Sequence, residues 1–223
     1  MRRSILITLA TLVLGASAAN AQNLLTNGDF EAGNTGFFTQ YNVSAPFPPG
    51  PDGPGHYNVY NRTNQFNPAF GQTFGDHTTG SGLMMVVNGY TVADTYFWGQ
   101  DIAVTANTNY TFTGWFTSAL IDPDPSPAVI SLVINGANVG SNLSLLPTTG
   151  TWQQFTTTWN SGANTVASLR LFDANLTGQG NDFVADDLSF IGPGNNNVAQ
   201  EPGSLALIGL AALPLAGVLR RRK

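Results

Sequence analysis

The segment NYTFTGWFTS at positions 109–118 constrains the fold more than any other stretch of the 223-residue chain. Tyr110, Phe112 and Phe116 fall on one face at a two-residue period, while Thr111, Thr113 and Trp115 fall on the other, as in an extended strand with one buried face. The same strand-like patterning returns in LMMVVNG (83–89), WGQDIAV (98–104), AVISLVING (128–136), WQQFTTTW (152–159), VASLRLF (166–172) and DFVADDLSFIG (182–192). Asn135-Gly136, between two such runs, tolerates the positive φ angles of a tight hairpin. Composition points the same way, because Thr, Asn and Gly abound whereas Lys occurs once and Glu twice. Strands at such short intervals predict an all-β sandwich. Two Pro-rich stretches, SAPFPPGPDGPGH (44–56), which is also rich in Gly, and IDPDPSP (121–127), read as surface loops, and GPGNNNVAQ (192–200) as a flexible spacer.

Both ends differ from this middle. Arg2 and Arg3 precede an apolar run from Ile5 to Ala18 and then Ala19-Asn20-Ala21, which predicts a signal peptide helix over 1–21, cut after Ala21. Near the other end, Ser204 to Leu219 carries no charge over 16 residues, and Arg220, Arg221, Arg222 and Lys223 follow. As a helix that run spans about 24 Å, short of the roughly 30 Å hydrocarbon core, so it predicts a short transmembrane helix of marginal length. Six of the eight cations lie in these two ends. Only Arg62 and Arg170 remain to face thirteen acids, so residues 22–203 carry a net charge of −11. That excludes a nucleic-acid partner and makes divalent cations natural ones. With no cysteine, disulfides and thiolate metal sites are excluded as well.

Five segments together, NLLTNGDFEAG (23–33), GDHTTGSGLMMVVNG (75–89), TNYTFTGWF (108–116), TWQQFTTTWNSG (151–162) and GNDFVADDLSF (180–190), resemble the carbohydrate-binding-module-like jelly rolls of the galactose-binding-domain type. The resemblance implies a jelly-roll β-sandwich over 22–192, followed by a linker at 193–200. The tail at 201–223 resembles the PEP-CTERM sorting signal: a short motif, an apolar helix and a basic end. Its motif is Gln200-Glu201-Pro202, with Gln in place of the usual first Pro, and Pro214 interrupts the helix. This implies handling by an exosortase, with the inner membrane holding 204–219 transiently and Arg220 to Lys223 kept on the cytoplasmic side. A tail left uncut acts instead as a simple anchor.

In that fold class a structural calcium commonly ties the first strand to the last, and Glu31 and Asp186 match the carboxylate positions. Strand parity places Val184, Asp186, Leu188 and Phe190 on one face, so Asp186 points to the core side, where a cation offsets the cost of its burial, while Asp187 points out. Asp76 is a further candidate ligand and Asp182 a weaker one. The alternative is that these carboxylates only accept backbone hydrogen bonds. For a sugar, which stacks its C–H face on an aromatic ring, the candidates are Trp115, Trp98 and Tyr96, with Tyr90, Trp152 and Trp159 in reserve. Trp152 and Trp159 differ by an odd number and cannot share a face. Neither His56 nor His77 has a partner at the spacing of a catalytic triad or zinc site. The expected function is therefore non-catalytic: an exported protein that associates with extracellular polysaccharide at the cell surface or in the matrix. Its rival is a structural biofilm protein that works through protein–protein contacts.

Overall fold

The computed structural model describes residues 22–45, 53–70 and 74–193. The signal peptide, most of the linker and the whole sorting tail, including Gln200, Glu201, Pro202 and Arg220 to Arg222, lie outside the described residues. Among the described residues no helix is long and apolar enough to cross a membrane.

Among the described residues eleven strands form: β1 (Asn42–Val43), β2 (His56–Tyr60), β3 (Met84–Asn88), β4 (Tyr96–Ala103), β5 (Asn109–Ser118), β6 (Val129–Ile134), β7 (Ala137–Asn138), β8 (Leu143–Ser144), β9 (Gln153–Asn160), β10 (Val166–Asp173) and β11 (Phe183–Ile191). One sheet has the order β1-β2-β3-β11-β5-β9, and the other β4-β10-β6-β7, with β8 also paired to β6. All pairings but β1 with β2 are antiparallel. Each of the seven sequence windows read as strand overlaps one of the long strands. Asn135 and Gly136, at φ 52° and 81°, close the β6–β7 hairpin, where only residues that tolerate left-handed backbone fit.

The period-two pattern explains the core. Tyr110, Phe112, Phe116 and Phe155 of the six-stranded sheet meet Ile130, Leu132, Ile134, Leu169 and Leu171 of the other. Their removal from water is the main stabilising term, at about 25 cal/mol per Å² of apolar surface. A second, smaller cluster covers the opposite face of the six-stranded sheet: Met84, Val86 and Val184 lie under Phe66, Phe70 and Ala119. This is why MMVV is apolar without interruption, since both of its faces are buried. Trp152 packs with this outer cluster and Trp159 with the inner one, as their odd spacing requires.

Three expectations need correction. Strand β2 starts at His56, inside the stretch read as loop, because HYNVY buries Tyr57 and Val59 once the prolines end. The 121–127 loop is not wholly at the surface, since Asp124 is only 3% exposed. The parity of β11 also breaks. A bulge shifts the register between Asp186 and Ser189, with Asp187 at φ 47°, so one extra residue enters the strand. Leu188 and Phe190 therefore join Phe183 and Ala185 in the inter-sheet core, whereas Val184 and Asp186 belong to the opposite face.

Candidate functional site

Two regions gather the chemistry-bearing side chains. The first is an acidic cleft of about 380 Å³, lined by Asp29, Glu31, Asp76, Asp186, Asp187 and the hydroxyls of Thr78, Thr79 and Ser81. The chain reaches it from three directions. The 28–31 turn is tied to the bulge, Leu188 N–H donating to Gly28 O at 2.8 Å, and the 76–82 loop folds over Asp186. Each carboxylate is held by protein donors: Leu83 N–H on Glu31 (2.8 Å), Thr79 and Gly82 N–H on Asp76 (2.8 and 2.6 Å), and His77 N–H on Asp186 (2.9 Å). Asp187 meets Nδ1 of His77 at 2.7 Å and accepts the Thr78 hydroxyl.

Burial disfavours the ionised Asp76, but the Thr79 and Gly82 donors outweigh it and hold the carboxyl below its ordinary range. Asp186 behaves oppositely. Burial pushes it up to about 7, against the N–H donors of His77 and Asp187, and the charges of Asp187 and Asp76 raise it further. Among the described residues no Lys or Arg lines this cleft.

A side chain at Gly82 would come within 2.1 Å of Glu31 Oε1 and 3.1 Å of Asp76 Oδ2, so glycine there lets two carboxylates from distant segments converge. Oxygen donors of this number and charge suit a hard divalent cation. Among the described residues, however, no three carboxylate or histidine groups close on one point as a finished metal cluster. Glu31, Asp76, Asp186 and Asp187 are all brought together as read from the sequence. Asp29 was missed, although its place two residues before Glu31 in one turn is a usable signal.

The second region is the outer face of the five-stranded sheet. On β10, Ala167, Leu169 and Leu171 point inward, so Ser168, Arg170 and Phe172 point out. Register places Tyr96 of β4 opposite Phe172, and a bridge from Phe38 to Gly99 brings a third ring onto the same face. The rings form a chain: Phe38 to Tyr96 and Tyr96 to Phe172 are each 6.1 Å between centroids, edge to face. The Arg170 guanidinium lies 4.3 Å from the Phe38 centroid and 5.3 Å from that of Tyr96, and pairs with Asp101 at 3.0 Å. A side chain at Gly99 would press on both Phe38 and Arg170, at 2.8 Å each, so the glycine lets them lie flat. Beside Phe172 the shelf drops into a pocket of about 220 Å³ formed with Asp94, Ser131, Val133, Asn138 and Leu176.

Of the aromatic candidates, Tyr96 stands on this shelf. Trp98 does not: it is fully buried, because the irregular register between Leu171 and Phe172 turns it inward against Leu171. A ring with no exposed face cannot stack on a sugar, and Trp98 is withdrawn as a ligand contact. Trp115 points to the outer face of the other sheet, as its alternation implied, but His77 covers one side of its ring at 3.9 Å and 17°. Phe38, Arg170 and Phe172 escaped the sequence reading. The outward parity of Arg170 and Phe172 was available, but the pairing that delivers Phe38 was not.

The two-sheet β-sandwich is similar in fold to carbohydrate-binding modules of known structure. Among solved structures, the CBM22-1 xylan-binding domain of Paenibacillus barcinonensis Xyn10C superposes with a TM-score of 0.50 at 14% identity, over 80% of this chain and 98% of that one. The CBM22-1-CBM22-2 tandem of the same protein gives 0.50 at 12% identity, with 80% of this chain spanning about half, 47%, of that one. A family 16 carbohydrate-binding module is similar at 0.42 and 17% identity, over 75% and 99% of the two chains. At such identities the likeness is one of fold. No protein-family model matches the chain, and no curated protein does.

Proposed function

We propose that this chain is an exported, non-catalytic binding protein of the cell envelope or extracellular matrix that holds polysaccharide on the outer face of its five-stranded sheet. The observation that carries this reading is the shelf of Phe38, Tyr96 and Phe172 opening into a pocket with hydroxyl, amide and carboxylate groups. Flat apolar rings beside a few polar groups suit a sugar, which presents a C–H face and a hydroxyl rim. The sugar-binding role of similarly folded modules adds support, as does the description of one of them as xylan-binding.

In the same reading, Glu31, Asp76, Asp186 and Asp187, joined by Asp29, hold a structural calcium ion that ties the 28–31 turn to β11. Their donor set and the cradle at Gly82 suit it. Residues 1–21 direct export, and the tail from Gln200 through Arg222 is read by an exosortase that releases the domain from the inner membrane. The rival reading, a structural surface protein, requires the shelf to be idle.

The two are separated by retention on immobilised polysaccharides. Tyr96→Ala and Phe172→Ala are each expected to weaken retention by about tenfold or more, the scale of losing a ring contact at the centre of a site. Trp115→Ala is expected to leave retention intact. If all three variants are retained as the parent is, the shelf is not the sugar site; if the parent protein binds no glycan with or without calcium, the structural reading prevails.

A further inference from the structure

The pocket beside Phe172 has a charge character that the rest of the shelf lacks. Asp94 stands at its rim, exposed, in left-handed backbone at φ 59°, and its carboxylate makes no hydrogen bond to another described residue. A non-glycine residue in that region costs free energy, though Asp tolerates it better than most. Here the residue lines a cavity with a carboxylate that no other described residue engages. At the floor, Asp173 is occupied: Val129 and Asn175 N–H groups bind its Oδ1, and the Asn181 amide its Oδ2. Burial pushes it up to about 6, so at mildly acidic pH it adds little negative potential and the pocket's charge comes from Asp94. Val133, Phe172 and Leu176 supply the apolar walls.

Among the described residues no cation lines the pocket. Arg170, on the same face of β10, is neutralised by Asp101, and Arg62 is engaged elsewhere by the carbonyls of Asn61 and Gly80. The net charge of −11 over residues 22–203 sets the wider field. An anionic glycan is repelled here and a neutral one is not distinguished, whereas a protonated amine gains from both the field and a direct charge-assisted hydrogen bond.

We infer that this pocket selects an amine-bearing sugar, so that the preferred ligand is a polymer containing deacetylated hexosamine, its ammonium on Asp94 and its ring face on Phe172. The inference rests on the glycan reading above and sharpens it. Calorimetric titration of the full chain at mildly acidic pH, with hexamers of glucosamine, of N-acetylglucosamine and of xylose, tests it. The glucosamine hexamer is expected to bind about tenfold more tightly than its acetylated counterpart, and to lose that margin as salt is raised. Asp94→Asn is expected to remove the margin, bringing the glucosamine hexamer down to the affinity the same variant shows for the acetylated one, since Asn also adopts left-handed backbone readily.

If the acetylated or xylose hexamer binds as tightly as the free amine, or if Asp94→Asn keeps the preference, the amine assignment is overturned and the glycan reading stands. If no hexamer binds, the glycan reading falls and the inference falls with it.

Discussion

Freed of divalent cations, the protein is expected to lose stability steadily as pH rises from about 4 to about 7, by several kcal/mol in total. The cause lies where the loops at one end of the sandwich enclose Asp124, Asp173 and Asp182, which are 3%, 6% and 7% exposed. Burial pushes Asp173 up to about 6, against the N–H donors of Val129 and Asn175, with the charge of Asp124 raising it further. Burial pushes Asp182 to about 7, with Asp124 and Asp173 adding repulsion. Asp124 is raised by burial as well. It takes the Ser126 N–H on one oxygen, while the nearby Ser118 hydroxyl donates to Leu146 O.

The sign follows from proton uptake. Between the unfolded value near 4 and the folded values near 6 and 7, the native state holds more protons than the unfolded chain, so each step upward in pH favours unfolding. Urea unfolding at a series of pH values reads the slope directly. Asp182→Asn keeps an acceptor for the Gly89 N–H while removing the buried charge, and is expected to flatten the profile and raise stability above pH 7 by a few kcal/mol. A profile that rises through this window contradicts the burial argument.

Calcium is expected to produce the second large effect. A ligand that binds only the folded state at a thousand times its dissociation constant stabilises by about 4 kcal/mol, which for a domain of this size raises the unfolding midpoint by roughly 10 °C. Saturating calcium should give a shift of that order, chelator should reverse it, and Asp76→Asn or Asp186→Asn should each abolish most of it. Asp182→Asn, at the other acidic cluster, should respond as the parent does. An unmoved midpoint in the parent protein removes the ion from the account and leaves the cleft a set of capped carboxylates.

The strands were legible in the sequence because apolar and period-two patterning acts residue by residue: every long strand except β2 falls largely within one of the windows read as strand. β2 was hidden by the prolines before it, although Tyr57 and Val59 carry the same pattern. The acidic cleft was legible too, since its carboxylates fall at turns and strand ends. The bulge was not. Asp186-Asp187 contains no glycine to mark it, and one inserted residue moves Asp186 from the inner face to the outer one. Trp98 failed for a related reason, because irregular pairing in β4 inverts the side its ring takes. The shelf was half visible: β10 declares Arg170 and Phe172 outward, but Phe38 and Asp94 arrive from loops whose positions depend on contacts remote in sequence.

The most direct test of sugar binding is to map backbone amide shifts of the protein during titration with a glycan that retains it. The account predicts that the largest shifts fall on β4, β10 and the outward residues of β6, at Tyr96, Arg170, Phe172, Ser131 and the 91–94 loop, and leave β9 and the surroundings of Trp115 unmoved. Shifts centred on Trp115 or on the acidic cleft, with the shelf silent, would contradict it.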